Sequence, residues 1–195
     1  MKRILAMLLA LVMVLSLAAC ASTQPAAEPA ASSDAPAESG KTYTVGVCQL
    51  VQHEALDAAT QGFVDALKEA LGDAVTIDVQ NASGDSVNCG TIVNGFVAKG
   101  VDLIMANATP ALTAAVSATA DIPILGTSIT AYGVALDIDD FSGTVGGNIS
   151  GTSDLADLQK QAQMILDWFP ETKTVGLLFC SAEPNSRYQI DELRK

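Results

Sequence analysis

The chain has 195 residues and carries 22 acidic against 10 basic side chains, a formal net charge of -12. This acidic balance argues against nucleic acid as a partner, because nucleic-acid binding needs a basic face. A single histidine, His53, and four cysteines without Cys-x-x-Cys spacing indicate neither a metal site nor a disulfide scaffold, so no cofactor is expected.

The N-terminus has the pattern of an export signal. Lys2 and Arg3 precede an apolar run from Ile4 to Leu15, and Leu17-Ala18-Ala19-Cys20 follows. This pattern predicts a signal peptide over residues 1–19, and Leu-Ala-Ala-Cys resembles a bacterial lipobox in which Cys20 is lipidated. The alternatives are an ordinary secretory signal with a chance cysteine, or an uncleaved anchor.

Residues 20–42 are predicted to form the lipidated cysteine and a flexible linker. Residues 21–40 contain only small, polar and acidic residues with proline, and no large apolar side chain that could offset the entropy of ordering. The chain is therefore expected outside the cytoplasm, attached by its lipid to the outer face of the cytoplasmic membrane or in the periplasm.

From residue 42 onward, short apolar runs alternate with amphipathic ones, which predicts a parallel α/β sheet. Predicted strands cover residues 42–49, 75–79, 101–106 and 122–125, and predicted helices cover 54–71, 86–98, 110–118, about 155–169 and 185–194.

A short internal sequence repeat indicates two similar lobes. Thr44-Val45-Gly46-Val47 opens one α/β series, and Thr174-Val175-Gly176-Leu177, also predicted to be a strand, opens another. We expect an N-terminal lobe over residues 43–140, followed over 141–195 by a hinge crossing and a C-terminal lobe that is only begun. The glycines of Gly146-Gly147-Asn148 fit a hinge, or simply a loop. This organisation suggests a truncated or fragmentary gene product.

Four segments carry a specific resemblance. They are VGVCQLVQHEALDAATQGF at 45–63, ANATPAL at 106–112, GGNISGTSDL at 146–155 and CSAEPNS at 180–186. Together they resemble the tryptophan/tyrosine-type family of ABC transporter substrate-binding proteins. The resemblance implies a periplasmic-binding-protein fold of type I, with two doubly wound lobes and an amino acid held in the cleft between them.

The first lobe offers candidate ligand contacts where its strands end, the edge at which parallel sheets bind ligands. Thr109, which is followed by Pro110, is predicted to be the N-cap of a helix. The first turn of that helix could bind the carboxylate of the ligand, or Thr109 could be a helix cap with no ligand contact. Thr127 and Ser128 supply hydroxyls or form a turn. Gln49 could meet a polar ligand group, and His53 could contact the ligand ring or cap its helix.

The second lobe is expected to contribute from the opposite side of the cleft. Ser153 and Asp154 are predicted to open the crossover helix. Glu183, Asn185 and Ser186 follow the second-lobe strand, where a carboxylate could pair with the ligand ammonium, and Asn185 could instead cap the helix.

The leading hypothesis is a non-enzymatic lipoprotein that captures an aromatic amino acid (tryptophan, tyrosine or phenylalanine) for ABC permease subunits in the membrane. One alternative is an extracytoplasmic sensory domain of the same fold. The other is a secreted α/β hydrolase, for which no Gly-x-Ser-x-Gly elbow or zinc motif occurs in the sequence.

Overall fold

One parallel sheet organises the molecule. The computed structural model describes residues 40–195, so the predicted signal peptide, Cys20 and most of the linker lie outside the described residues. The sheet has the strand order β2-β1-β3-β4-β5. Its strands are β1 (Tyr43–Gln49), β2 (Val75–Asn81), β3 (Leu103–Asn107), β4 (Ile124–Ile129) and β5 (Ile149–Ser153).

Within residues 40–195, six α-helices connect or follow these strands. They are α1 (Glu54–Leu71), α2 (Ser86–Lys99), α3 (Thr109–Ala118), α4 (Tyr132–Ala135), α5 (Leu158–Trp168) and α6 (Pro184–Leu193). None of the helices in residues 40–195 combines the length and the apolar character that crossing a bilayer requires.

The main core lies between the sheet and helices α2 and α3. Val93 and Phe96 of α2 and Leu112 of α3 are fully buried against Ile104 and Ile124 of the sheet. Helix α1 covers the opposite face, where its Thr60 and the main chain of Leu56 hydrogen-bond to residues of β1 and β3. These two layers of helices account for the near-continuous burial of β1 and β3, as expected for central parallel strands.

The predicted elements up to residue 118 are confirmed, with shifts of one or two residues at their ends. Helix α1 has the predicted bounds, and β4 extends four residues beyond the predicted Leu125. Strand β5 was not predicted, because Ile149-Ser-Gly-Thr-Ser contains a single apolar side chain and shows no alternation. It forms a parallel pair with β4 at the sheet edge.

The predicted strand at Thr174–Leu177 is wrong. Residues 173–180 form no strand, and Leu178 is fully exposed. A strand needs a neighbour for its N–H and C=O groups, and within residues 40–195 this segment pairs with neither sheet edge.

Candidate functional site

The carboxyl edge of the sheet carries a row of polar residues. The row runs in register from β2 through β1 and β3 to β4. Asn81, Gln49 and Asn107 each end their strand, and Thr127 lies two residues before the end of β4. The chain leaves β1 for β2 on one side and later returns to β3 on the other, so the strand order reverses between β1 and β3. Open α/β sheets bind ligands in the crevice at this switch point.

A buried hydrogen-bond network holds the centre of this row in place. The Thr60 hydroxyl donates to Gln49 Oε1 at 2.6 Å and accepts from Asn107 Nδ2 at 2.9 Å. Gln49 Nε2 donates to Asp57 Oδ1 and to the Val51 carbonyl. Both N–H donors of Gln49 are therefore used within the protein, and a ligand contact by this residue would have to replace one of these bonds.

The side-chain oxygen of Asn107 accepts no hydrogen bond from the described residues. Its side chain is fully buried, and its Nδ2 also donates to the Leu56 carbonyl, but its Oδ1 has no hydrogen-bond partner among the described residues. Buried polar atoms are nearly always paired, so the unpaired Asn107 Oδ1 calls for a partner that the described residues do not supply. Sequence reasoning missed Asn107, although a polar residue ending an apolar strand just before Thr109-Pro110 was a usable signal.

Helix α3 begins one residue earlier than predicted. Ala108 is the N-cap, since its carbonyl accepts from the Leu112 N–H, and Thr109 is the first helical residue and almost fully buried. Thr109 is therefore not the cap, because the chain already turns at Ala108, whose φ is 91° and whose N–H donates to the Thr127 carbonyl at 3.0 Å. The helix N-terminus still lies at the carboxyl edge, as predicted.

His53 caps helix α1. Its Nδ1 accepts from the Ala55 N–H at 3.2 Å, which matches the capping alternative, and its side chain remains exposed. Together with α3, this places two helix N-termini beside the switch point. Backbone N–H groups at such ends favour an anionic group.

Thr127 and Ser128 lie at an irregularity of β4. The pairing of β4 with β5 shifts register between Gly126 and Ile129, and Ser128 has a φ of 56°. Both side chains are half-buried at the carboxyl end of the strand, on the same edge as the N-terminus of α3.

Ser153 and Asp154 do not open a helix. Ser153 ends β5, where its hydroxyl donates to the Thr130 carbonyl at 2.9 Å, and the Asp154 N–H donates to the Ile129 carbonyl. The helix that follows begins at Leu158 and is capped by Asp157. Because β5 pairs with β4, Ser153 and Asp154 lie at the end of the strand next to Thr127 and Ser128.

The last predicted residues lie at the start of α6. Glu183 is its N-cap without a side-chain capping bond, Ser186 Oγ accepts from the Cys180 N–H at 3.0 Å, and Asn185 lies within the helix and does not cap it. The Asn185 Oδ1 is buried and has no partner among the described residues. Gln189 donates to the Thr130 hydroxyl, so α6 lies beside the loop after β4.

Two pockets open along this edge. One of about 330 Å³ is lined by Gln49, Gln52, Asp57, Thr60 and Asn81, among others. A second of about 340 Å³ brings the predicted Ser153 together with residues that sequence reasoning missed, Thr130, Tyr132 and Tyr188. Burial raises the pKa of Tyr132, whose hydroxyl donates to the Gly126 carbonyl at 3.0 Å.

The predicted hinge forms a turn that leads into β5. Gly146 and Gly147 have φ angles of 82° and 62°, a region that glycine adopts readily. Asn148 Nδ2 donates to the carbonyls of Thr119 and Ile122, which ties the turn to the α3–β4 loop. Within residues 40–195, no three histidine, cysteine or acidic side chains are grouped so as to hold a metal ion.

Comparison with known proteins identifies the class. The family model for ABC transporter substrate binding protein matches residues 44–195. A tyrosine-binding protein of Clostridioides difficile (strain R20291) is 35% identical over 199 residues, covering 98% of this chain and 56% of that protein. This chain therefore belongs to the ABC transporter substrate-binding protein family.

Two solved structures show the same fold. One is the ABC domain in complex with L-Trp from Streptococcus pneumonia, with a TM-score of 0.73 and 36% identity, covering 78% of this chain and 52% of that one. The other is a ligand-free, open substrate-binding protein with adhesive properties from Clostridium difficile, with a TM-score of 0.62 and 38% identity, covering 78% and 52%. The predicted α/β class is confirmed, and the chain spans about half the length of these relatives.

Proposed function

We propose that this chain is the ligand-capturing subunit of an ABC importer and that it binds the zwitterion of an aromatic amino acid at the carboxyl edge of its sheet. The observation that carries the proposal is the in-register polar row at the switch point, with the unpaired Asn107 Oδ1 at its centre. The similarity to a tyrosine-binding protein and to a domain solved with L-Trp supports an aromatic ligand.

The chemistry of the edge suits a zwitterion. The N-termini of α1 and α3 and the hydroxyls of Thr127 and Ser128 favour the ligand carboxylate. Acceptors such as Asn107 Oδ1 suit the ammonium, since both charges need partners when water is excluded. Ser153, Asp154, Glu183, Asn185 and Ser186 are proposed as the further contacts.

Binding is tested by titrating the chain with L-Trp, L-Tyr and L-Phe, using L-Leu and a sugar as controls. NMR shifts of the amides of residues 107–112 and 127–131 serve as the readout, because they detect weak affinity. We expect saturable shifts with the aromatic amino acids. A response confined to sugars or branched aliphatic amino acids would overturn the aromatic assignment.

A matched pair of variants tests the site. Thr127→Val removes a hydroxyl from the carboxyl edge, and Thr76→Val removes an exposed one from the second residue of β2, at the opposite end of the sheet. A hydrogen bond to a charged group is worth about 1.5–3 kcal/mol, so Thr127→Val should weaken binding roughly 10- to 100-fold, while Thr76→Val leaves it unchanged. Equal affinities of the two variants would contradict the proposed site.

Anchoring by a lipid on Cys20 is the second part of the proposal. In a bacterial host, labelling with a clickable fatty acid should mark the wild-type chain, and Cys20→Ala should lose the label and be released from membranes. Labelling that persists in Cys20→Ala would show that Cys20 is not the lipidation site.

A further inference from the structure

Two cysteines lie together in the core, away from the carboxyl-edge site. Cys48 of β1 and Cys89 of α2 are both fully buried. Each thiol lies close enough to the other to shift its pKa. Both belong to the apolar cluster between the sheet and α2, where their neighbours include Val93, Phe96 and Ile104.

Helix α2 approaches β1 closely at this point. Gly46, two residues before Cys48 and on the same face of the strand, meets the ring of Phe96, which follows Cys89 by two helical turns. A Cβ at position 46 would lie 2.5 Å from that ring, so only glycine permits this separation of helix and strand. Because α2 runs antiparallel to β1, Cys89, which precedes Phe96, and Cys48, which follows Gly46, lie on the facing surfaces of the helix and the strand within one buried cluster.

We propose that Cys48 and Cys89 form a disulfide bond in the exported protein. Disulfides persist outside the cytoplasm, so this inference rests on the proposed export. The oxidant is a disulfide of the exporting compartment, carried by a thiol oxidoreductase or a small molecule. One cysteine thiolate attacks that disulfide and releases one thiol. The second cysteine thiolate then attacks the mixed disulfide and releases the other, so two thiol protons and two electrons leave the protein.

The bond forms while the chain folds. In the folded protein, contact with Cys89 and burial raise the pKa of Cys48, which keeps its thiol protonated and unreactive. Before α2 packs on β1, both thiols are accessible to the oxidant. Cys180 is exposed and is not part of the pair.

The test is alkylation of the exported protein under denaturing conditions without reductant, followed by peptide mapping. We expect Cys180 to be alkylated and a peptide linking Cys48 to Cys89 to be recovered. The disulfide closes a long loop and so stabilises the fold, and its reduction should therefore lower Tm by about 5–15 °C. Cys180→Ala serves as the matched control and should retain the linked peptide and the fall in Tm. Cys89→Ala should abolish both and leave Cys48 open to alkylation.

Alkylation of both Cys48 and Cys89 when the exported protein is denatured without reductant would overturn the proposal and would show that the two residues are free thiols that pack in the apolar core. A link from Cys180 to either residue would overturn it equally. The result does not depend on amino-acid binding, so failure of this inference and failure of the proposed function are distinguishable.

Discussion

Thr60 shows how one hydroxyl on a helix positions two strand ends. It bridges Gln49 and Asn107, which are both buried at the switch point. Sequence reasoning assigned Gln49 to the site but had no signal for Thr60, because a threonine in an amphipathic helix commonly faces solvent. The side chain that holds Gln49 and Asn107 in place therefore belongs to helix α1, which packs on the sheet at this point.

Thr60→Val should lower the free energy of unfolding by about 1–3 kcal/mol, because Gln49 Oε1 loses its hydrogen-bond donor and Asn107 Nδ2 loses an acceptor. Thr91→Val is the matched control. Its hydroxyl donates to the Val87 carbonyl on an exposed face, so the change should stay within about 0.5 kcal/mol. Urea denaturation measures both, and equal effects would show that the network does not stabilise the fold.

Gly46 and Gly62 form another matched pair. Gly46→Ala places a methyl group against the Phe96 ring and should cost about 1–3 kcal/mol of stability. Gly62 lies within α1 with nothing near its Cβ position, so Gly62→Ala should stabilise the protein by about 0.5–1 kcal/mol. Thermal unfolding measures both changes, and a neutral Gly46→Ala would argue against close packing of α2 on β1.

Among the elements, β2 and the last turn of α2 are joined by an ion pair. Lys99 Nζ lies 2.7 Å from Asp78 Oδ2, and both side chains are partly exposed. The hydrogen bond from Lys99, aided by Gln80, lowers the pKa of the Asp78 carboxyl. The pair therefore contributes stability above the unfolded-state pKa, about 3.9, and this contribution is lost as the pH falls through the lower folded-state value.

Asp78→Asn should lower the free energy of unfolding by less than about 1 kcal/mol at pH 7, because exposed pairs are weak. At pH values below the folded-state pKa of Asp78, the variant and the wild type should be equally stable, since the carboxyl is then neutral. Guanidinium unfolding at both pH values measures the difference. A larger difference at low pH would have the wrong sign for this ion pair.

At the scale of the whole molecule, the part of the chain after β5 differs from the sheet and its helices. Trp168 and Phe169 at the end of α5, and Val175 and Leu178 beyond it, are exposed although they are large and apolar. Contiguous exposed apolar surface usually marks a contact with another chain segment or protein. The relatives extend over about twice the length of this chain.

Trp168 is the single tryptophan and reports directly on this region. With 76% of the residue exposed, its emission maximum should be that of a water-exposed indole and should barely change on unfolding in urea. Fluorescence with acrylamide quenching measures this. A strongly blue-shifted native emission would show that Trp168 is covered in solution.

Sequence alone determined the alternation of strands and helices as far as residue 118, because the amphipathic helices show a local period and the central strands β1 and β3 are short, nearly continuous apolar runs. Helix α1 was predicted to the residue. The four segments at 45–63, 106–112, 146–155 and 180–186 carried the resemblance to the family, which the comparisons confirm. Local periodicity carries no information about pairing, and for this reason the strand at Thr174–Leu177 was predicted wrongly and β5 was missed.

The tertiary structure decided which residues meet. Register across four strands aligned Asn81, Gln49, Asn107 and Thr127, and the pairing of β5 with β4 brought Ser153 to the same edge. It also placed Cys48 and Cys89, 41 positions apart in the sequence, in one buried apolar cluster. Such contacts depend on how separate elements pack on one another, which the pattern of a single segment does not encode.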